Sequence, residues 1–251
     1  MNKDNEMLID FMIMGAMKSG TTALFTYLAV HPQIFIPSYK ELHFFDTDRY
    51  FDKNINYKIY HDLFMHSHNG QLLGDGTHTH MYQQECIPRI KNYNPDVKMI
   101  FILRNPVERA YSHYNLSLRK EKEDLDFLKA LELEKQRKSR NPLPVYRTWY
   151  SYIEKGLYVN QIKYILNFFP LKQMHFIKTE NLKLNFEDEL KLLFDFLNIE
   201  KIKMLPFMLV NFQKYLPVPQ GSKEFAIKQF KPDILELEKL LNWDCSDWYK
   251  I

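Results

Sequence analysis

The sequence predicts an α/β chain: a single domain over residues 1–251, with a central, mostly parallel sheet flanked by helices. Three observations carry this expectation. Short apolar runs alternate with helical patterns through the first half of the chain. Two of those runs end at a cation-bearing turn that leads into a helix. Finally, 251 residues at 45% hydrophobic content suffice for one large buried core, and no repeat or low-complexity linker divides them.

Strands are expected at residues 8–14, 71–74, 98–103 and 173–178. Each is too short for a convincing helix, and turn or polar residues bound most of them. Helices are expected at 21–30, 57–66, 84–93, 107–120, 126–138, 159–169 and 186–197. The last has Asn185 as its expected N-cap and acid in its first turn, as the helix dipole prefers. The charge run at 134–140 followed by Asn-Pro-Leu-Pro reads as a solvated helix end and a loop. Residues 206–220 read as Pro-punctuated loop, and a final helix over 232–241 precedes a tail with Trp243 and Trp248.

Composition narrows the function classes. Aromatic residues make up 15% of the chain and there are only 7 Gly, which excludes disordered and fibrous classes. Thirty-four Lys and Arg against 31 Asp and Glu leave +3, too balanced to announce a nucleic-acid protein or a polyanion binder. Two cysteines, Cys86 and Cys245, are too few for a disulfide framework and read as buried thiols rather than one bridge. No run approaches the ~18–20 apolar residues of a membrane span. The start of the chain, with Asp4, Glu6 and Asp10, lacks a signal-peptide pattern. The expectation is a soluble cytoplasmic protein without membrane or nucleic-acid partners; oligomeric state is not legible.

The strongest local signal is IDFMIMGAMKSGTTALFTYL, residues 9–28. An apolar strand ends at Gly15, a loop carries Lys18, Ser19 and Gly20, and a helix starts near Thr21. Backbone N–H groups at such a helix start converge on a phosphate, with Thr21 and Thr22 adding hydroxyl donors. A nucleotide-hydrolase P-loop needs Lys after its second Gly, whereas Lys18 comes before Gly20. The second signal is KMIFILRNPVERAYSHYNL, residues 98–116, a buried strand ending at Arg104 with Pro106 placed to start a helix and Ser112 on its second turn. Arg104 suits bidentate phosphate binding. It could equally form a structural pair with Glu108.

Together the two segments resemble the sulfotransferase family that uses 3′-phosphoadenosine 5′-phosphosulfate (PAPS). The resemblance implies the P-loop-like sulfotransferase fold, with PAPS as sulfuryl donor, 3′-phosphoadenosine 5′-phosphate (PAP) as product, and no metal. By that resemblance, Lys18, Ser19, Gly20, Thr21 and Thr22 bind the 5′-phosphosulfate, while Arg104 and Ser112 bind the 3′-phosphate. KELHFFD at 40–46 looks like the corresponding segment of heparan sulfate N- and 3-O-sulfotransferases, whose glutamate is the catalytic base; here that is Glu41. Further likeness runs through HP at 31–32, GLY at 156–158, FFPLKQMHFI at 168–177 and the closing KLLNWDCSDW. The late Gly221, Ser222 and Lys223 sit where relatives use a basic, glycine-containing loop near the phosphates.

One departure is informative. Where the heparan enzymes have Glu-Lys-Thr-Pro, this chain has Asp75-Gly76-Thr77-His78, so the lysine near the transferring group is absent. Cytosolic small-molecule sulfotransferases carry a Thr-His there with histidine as base, so His78 competes with Glu41. His43 or Asp46 would orient Glu41, and Lys18 would neutralise the leaving phosphate. Alternatively Glu41 is a surface acid beside Lys40 and His43 a core histidine. His78 and His80 alternate, so one is expected to face the cleft and the other a packed layer. Residues 46–56, 134–147 and 211–220 are expected to wall the acceptor. Their few clustered cations argue against a long polyanionic glycan, and a small-molecule or natural-product acceptor is preferred, with a carbohydrate acceptor as the alternative. A bacterial-type small-molecule enzyme is expected. The rival readings are a degenerate P-loop kinase and a non-catalytic nucleotide-binding module.

Overall fold

The computed structural model describes residues 7–52, 54–203 and 215–250. The first elements are β1 (Phe11–Gly15), α1 (Thr21–Ala29), β2 (Ile34–Phe35), α2 (Lys58–His61), β3 (Leu72–Asp75), α3 (Cys86–Tyr93) and β4 (Lys98–Leu103). Next come α4 (Pro106–Arg119), α5 (Phe127–Glu132), α6 (Glu134–Arg140), α7 (Leu143–Trp149) and α8 (Tyr158–Leu166). The chain continues through β5 (Met174–Lys178), α9 (Thr179–Leu184), α10 (Phe186–Leu197) and α11 (Gln220–Leu241). Described residues 7–16, 20–52, 54–103 and 164–203 form one compact unit, and 17–19, 104–163 and 215–250 form a second.

The first unit holds a five-stranded, all-parallel sheet in the order β2-β3-β1-β4-β5. Its centre is nearly continuously apolar because parallel strands are covered on both faces. Phe11 and Ile13 of β1, Ile100 and Ile102 of β4 and Ile177 of β5 face one way. There they pack with Leu24, Tyr27 and Leu28 of α1 and Leu190, Leu193 and Phe194 of α10. The alternate residues Met12, Met14, Met99 and Phe101 are fully buried as well. Strand order reverses at β1 and β4, and ligands of open α/β sheets bind outside the carboxyl ends at such a point. The two ends are tied together, the Ala16 amide donating to the Ile102 carbonyl at 2.8 Å.

In the second unit α4 packs against α5, α7 and α11. Asn105 caps α4, its side chain accepting from the Val107 and Glu108 amides, and Pro106 follows at the first helical position. Asp126 caps α5 by accepting from the Lys129 amide at 3.0 Å.

Several expectations need correction. The final helix begins at Gln220, twelve residues before the expected 232, and Pro232 lies inside it. The buried stripe Ser222, Ala226, Ile227, Phe230, Ile234 and Leu237 runs through the proline, and that burial outweighs a helix-interior cost of about 3 kcal/mol. Gly221, Ser222 and Lys223 therefore lie in a helical first turn and not in a loop. The expected loop after residue 140 contains α7, because Pro142 and Pro144 fall at its start, where proline is tolerated. Helix 126–138 is broken at Leu133 into α5 and α6, and the helix expected over 57–66 is reduced to α2 and a 3₁₀ turn. Asn185 precedes α10, but its carbonyl, not its side chain, accepts from Asp188 and Glu189. β2 and α9 were unforeseen. Cys86 and Cys245 are buried thiols, as expected. Part of the 211–220 segment, residues 211–214, lies outside the described residues, as do residues 206–210 of the expected loop and Lys53.

Candidate active site

In the first unit, α1 is entered through Gly20, whose φ of 106° is left-handed and therefore suits glycine. Thr21 opens the helix and is buried. Its hydroxyl accepts a hydrogen bond from Lys40 Nζ at 3.2 Å. That ammonium also lies 3.6 Å from Glu41 Oε1, so one lysine joins the start of α1 to the Glu41 carboxylate.

Glu41 lies between two imidazoles. Oε1 is 2.9 Å from His78 Nδ1, and Oε2 is 3.4 Å from His43 Nε2. The other His43 nitrogen meets Asp46 Oδ2 at 2.8 Å, and the Thr79 hydroxyl donates to the same oxygen at 2.7 Å. Hydrogen bonding from His43 and then His78 holds the Glu41 carboxyl far below the usual carboxylate range. Asp46, and after it Glu41, push the His43 imidazole up to about 10, so at neutral pH it is imidazolium. Burial alone would raise Asp46; His43, the nearby His80 and Thr79 outweigh it and leave that carboxyl lowered.

The two alternating histidines differ in their surroundings. His78 contacts Glu41, while His80 is fully buried edge-on to Phe45, and burial lowers its pKa. His43 is half exposed and so is not a core histidine, whereas Glu41 does pair with Lys40 and is in addition two-thirds covered and in contact with both imidazoles. Sequence reasoning missed the bridging role of Lys40, the Thr79 bond, and Asp75 with Thr77. The |i−j| of 19 between Thr21 and Lys40 leaves no local pattern to read.

The second unit holds the remaining candidates. Lys18 has a positive φ of 68°, rare outside glycine, and its carbonyl accepts from Arg104 Nη1 at 3.4 Å. Arg104 Nη2 meets Glu108 at 3.2 Å, so the structural pair considered from sequence is formed. The Arg104 carbonyl accepts from the Tyr158 hydroxyl at 2.9 Å, and Asp233 of α11 caps α8 by accepting from the Tyr158 and Val159 amides. Gly156 is equally constrained, because a Cβ there would lie 2.7 Å from the Phe230 ring. Ser112 is buried on α4 and Ser19 is buried beside Lys18. In the first turn of α11, Gly221 is exposed, Ser222 buried and Lys223 half-buried.

Sequence reasoning also missed Lys155, which is buried with Nζ 3.1 Å from Met17 Sδ, next to Lys18. Burial, and then the Arg109 charge, push it down to about 7. The neighbouring GLY motif was its only signal. Among the described residues no group of three or more His, Cys, Asp or Glu gathers as metal ligands.

Comparison with known proteins identifies the family of the chain. The chain is 28% identical to the membrane-associated sulfotransferase kil1 of Dictyostelium discoideum over 94% of its own length and 66% of that protein. It is 32% identical to heparan sulfate glucosamine 3-O-sulfotransferase 3A1 of Homo sapiens over 80% of its own length and 47% of that protein. The chain thus spans between about half and two thirds of these curated relatives. The crystal structure of a sulfotransferase from Alicyclobacillus acidocaldarius matches with a TM-score of 0.82 at 28% identity, covering 97% of this chain and 100% of that one. The family profile described as Sulfotransferase domain matches residues 8–210, and the chain belongs to the sulfotransferase family.

Proposed function

We propose that this chain transfers the sulfuryl group of PAPS to a hydroxyl or amine of a compact small-molecule acceptor, with Glu41 as base. The observation that carries the reading is the Lys40 bridge, which joins the start of α1 to the Glu41 carboxylate within one unit. Lys18, Ser19, Gly20, Thr21 and Thr22 receive the 5′-phosphosulfate, and Arg104 with Ser112 receives the 3′-phosphate, Arg104 exchanging Glu108 for the stronger phosphate pair. Gly221, Ser222 and Lys223 contribute from a helix start. PAPS and PAP act as donor and product, and the reading treats residues 1–251 as one sulfotransferase domain.

In the transfer, an acceptor oxygen or nitrogen forms a bond to sulfur as the bond from sulfur to the bridging phosphate oxygen breaks. The bond pair stays on that oxygen, where Lys18 neutralises it, and PAP leaves. The acceptor's proton passes to Glu41 as its contact with His78 loosens, since that contact and the one to His43 hold its basicity down in the resting site. His43 stays protonated and orients the carboxylate. The 2.9 Å contact of His78 Nδ1 with Glu41 favours a second assignment, with His78 as the base and Glu41 as its orienting partner.

What the basic side chains of α6 already do supports the small-molecule reading. Arg137 grips Glu123 and Lys138 pairs with Glu154, which leaves fewer cations for a polyanion. A carbohydrate acceptor is the alternative, in line with the heparan sulfate relative. A cytoplasmic location belongs to the proposal and cell fractionation checks it. No helix among the described residues is long and apolar enough to cross a membrane.

The test is a thermal-shift titration with PAP beside ATP plus Mg²⁺, on wild type and Arg104→Ala. A ligand at about 100 times its Kd adds about 2.7 kcal/mol. Stabilisation by PAP alone, weakened in Arg104→Ala, is the expected result. A shift only with ATP and Mg²⁺ would replace the reading by a kinase, and PAP binding without any turnover of PAPS by a binding module.

A further inference from the structure

We propose that Asp75, acting through Thr77, is the positioning residue that holds Glu41 and His78 in contact. The inference rests on the reading of Glu41 and His78 as the proton-accepting pair. Asp75 ends β3 and is fully buried. Its Oδ1 accepts from the Thr77 amide at 2.8 Å and from the Thr77 hydroxyl at 2.6 Å. Its Oδ2 accepts from the buried Tyr60 hydroxyl at 2.7 Å. Three donors fix the carboxylate in one orientation.

Thr77, itself fully buried, has a single hydroxyl hydrogen, and Asp75 takes it. A lone pair is then left for the Leu42 amide, which donates to it at 2.9 Å. Leu42 is the residue between Glu41 and His43, and Thr77 is the residue before His78. One carboxylate therefore sets, through one hydroxyl, the backbone on both sides of the 2.9 Å contact between Glu41 and His78.

An independent observation places the two segments against each other. A Cβ on Gly76 would lie 2.8 Å from the Lys40 carbonyl oxygen and 2.7 Å from the Phe25 ring, so only glycine admits this approach. A side chain at Gly76 could not enter without moving the Lys40–Glu41 peptide.

The experiment compares Thr77→Val, which keeps the shape and removes the hydroxyl, with Thr77→Ser, which keeps the hydroxyl. Asp75→Asn serves as a second route, and thermal melts establish folding. The first readout is the titration of the His43 ring by NMR, near 10 in wild type because Asp46 and then Glu41 bond to it. It needs neither nucleotide nor acceptor. The second is conversion of PAPS to PAP with water as the acceptor, beside PAP affinity. Thr77→Val and Asp75→Asn are expected to lower the His43 midpoint toward that of Glu41→Gln. They should also slow PAPS turnover roughly 10–100-fold with PAP affinity unchanged, and Thr77→Ser should restore both. An unmoved His43 midpoint in Thr77→Val, or equal losses in Thr77→Val and Thr77→Ser, would overturn the positioning role. A moved midpoint with full turnover in both Glu41→Gln and His78→Gln would leave the positioning intact and sink the catalytic reading instead.

Discussion

Glu41 and Glu134 are the same side chain driven in opposite directions, and the contrast extends to their surroundings. In the first unit, Glu41 receives two imidazoles and is held far below the usual range, while His43, between two carboxylates, rises to about 10. In the second unit, Glu134 is buried beneath the Ile153 and Glu154 amides, and burial pushes it up to about 7. Lys155 falls to about 7 and His113 well below its ordinary value, both chiefly through burial. Pairing at a partly open site keeps groups charged, whereas burial draws them toward neutrality. The first environment holds its groups charged; the second uses polar groups to fix backbone.

The largest expected effect tests the charged network. Glu41→Gln keeps size and one acceptor but removes the carboxylate, and turnover of PAPS should fall by about 10²–10⁴ while PAP affinity stays unchanged. His78→Gln sharpens the assignment. If it loses as much as Glu41→Gln and the double variant loses no more, the two act as one unit. Full activity in Glu41→Gln would transfer the proton-accepting role to His78.

Glu134→Ala tests the other side of the contrast. The carboxylate accepts from Ile153 at 2.6 Å and from Glu154 at 2.8 Å, holding the segment that leads to Gly156 and Tyr158. Removing it leaves two covered amides without acceptors, a loss of roughly 2–4 kcal/mol in urea unfolding. A loss below about 0.5 kcal/mol would show that the burial cost of Glu134 offsets its hydrogen bonds.

How much of this was legible depended on the range of the interaction. β4 was readable to the residue because an unbroken apolar run, bounded by Lys98 and Arg104, has few other solutions, and α10 because its buried stripe has clean helical spacing. The Lys18–Thr22 turn and the Glu41 segment were readable as motifs. The start of α11 was not, since Pro232 is a local breaker overruled by burial on either side of it. Nor were the bonds of Lys40 to Thr21 and of Thr77 to Leu42, whose |i−j| of 19 and 35 mean that only the folded sheet brings them together. Gly76 looked like a lost lysine; in the fold it is the position that lets Glu41 approach.

Lys155→Met probes burial through pH. The folded pKa is about 7, well below that of an ordinary lysine. Between that value and about 10.5 the unfolded chain binds a proton that the folded chain does not, so this residue makes stability rise with pH, by up to about 1.4 kcal/mol per pH unit. The methionine variant should lose that rise in unfolding measurements from pH 7 to 10. An unchanged slope would mean that Lys155 stays protonated beside Met17.

His43→Gln gives the smallest effect and the opposite sign. Its folded pKa, about 10, lies above the ordinary 6.5, so the bonds to Asp46 and Glu41 stabilise the fold fully below pH 6.5 and are lost as pH rises toward 10. The imidazole is half exposed, so solvent screens much of this. Wild type should lose stability relative to His43→Gln over that window, while Lys155 pulls the same window the other way in both proteins and cancels in their difference. Parallel pH profiles for the two would mean that His43 is not held as imidazolium. The orientation of Glu41 would then rest on His78 and on the Leu42 amide bound by Thr77.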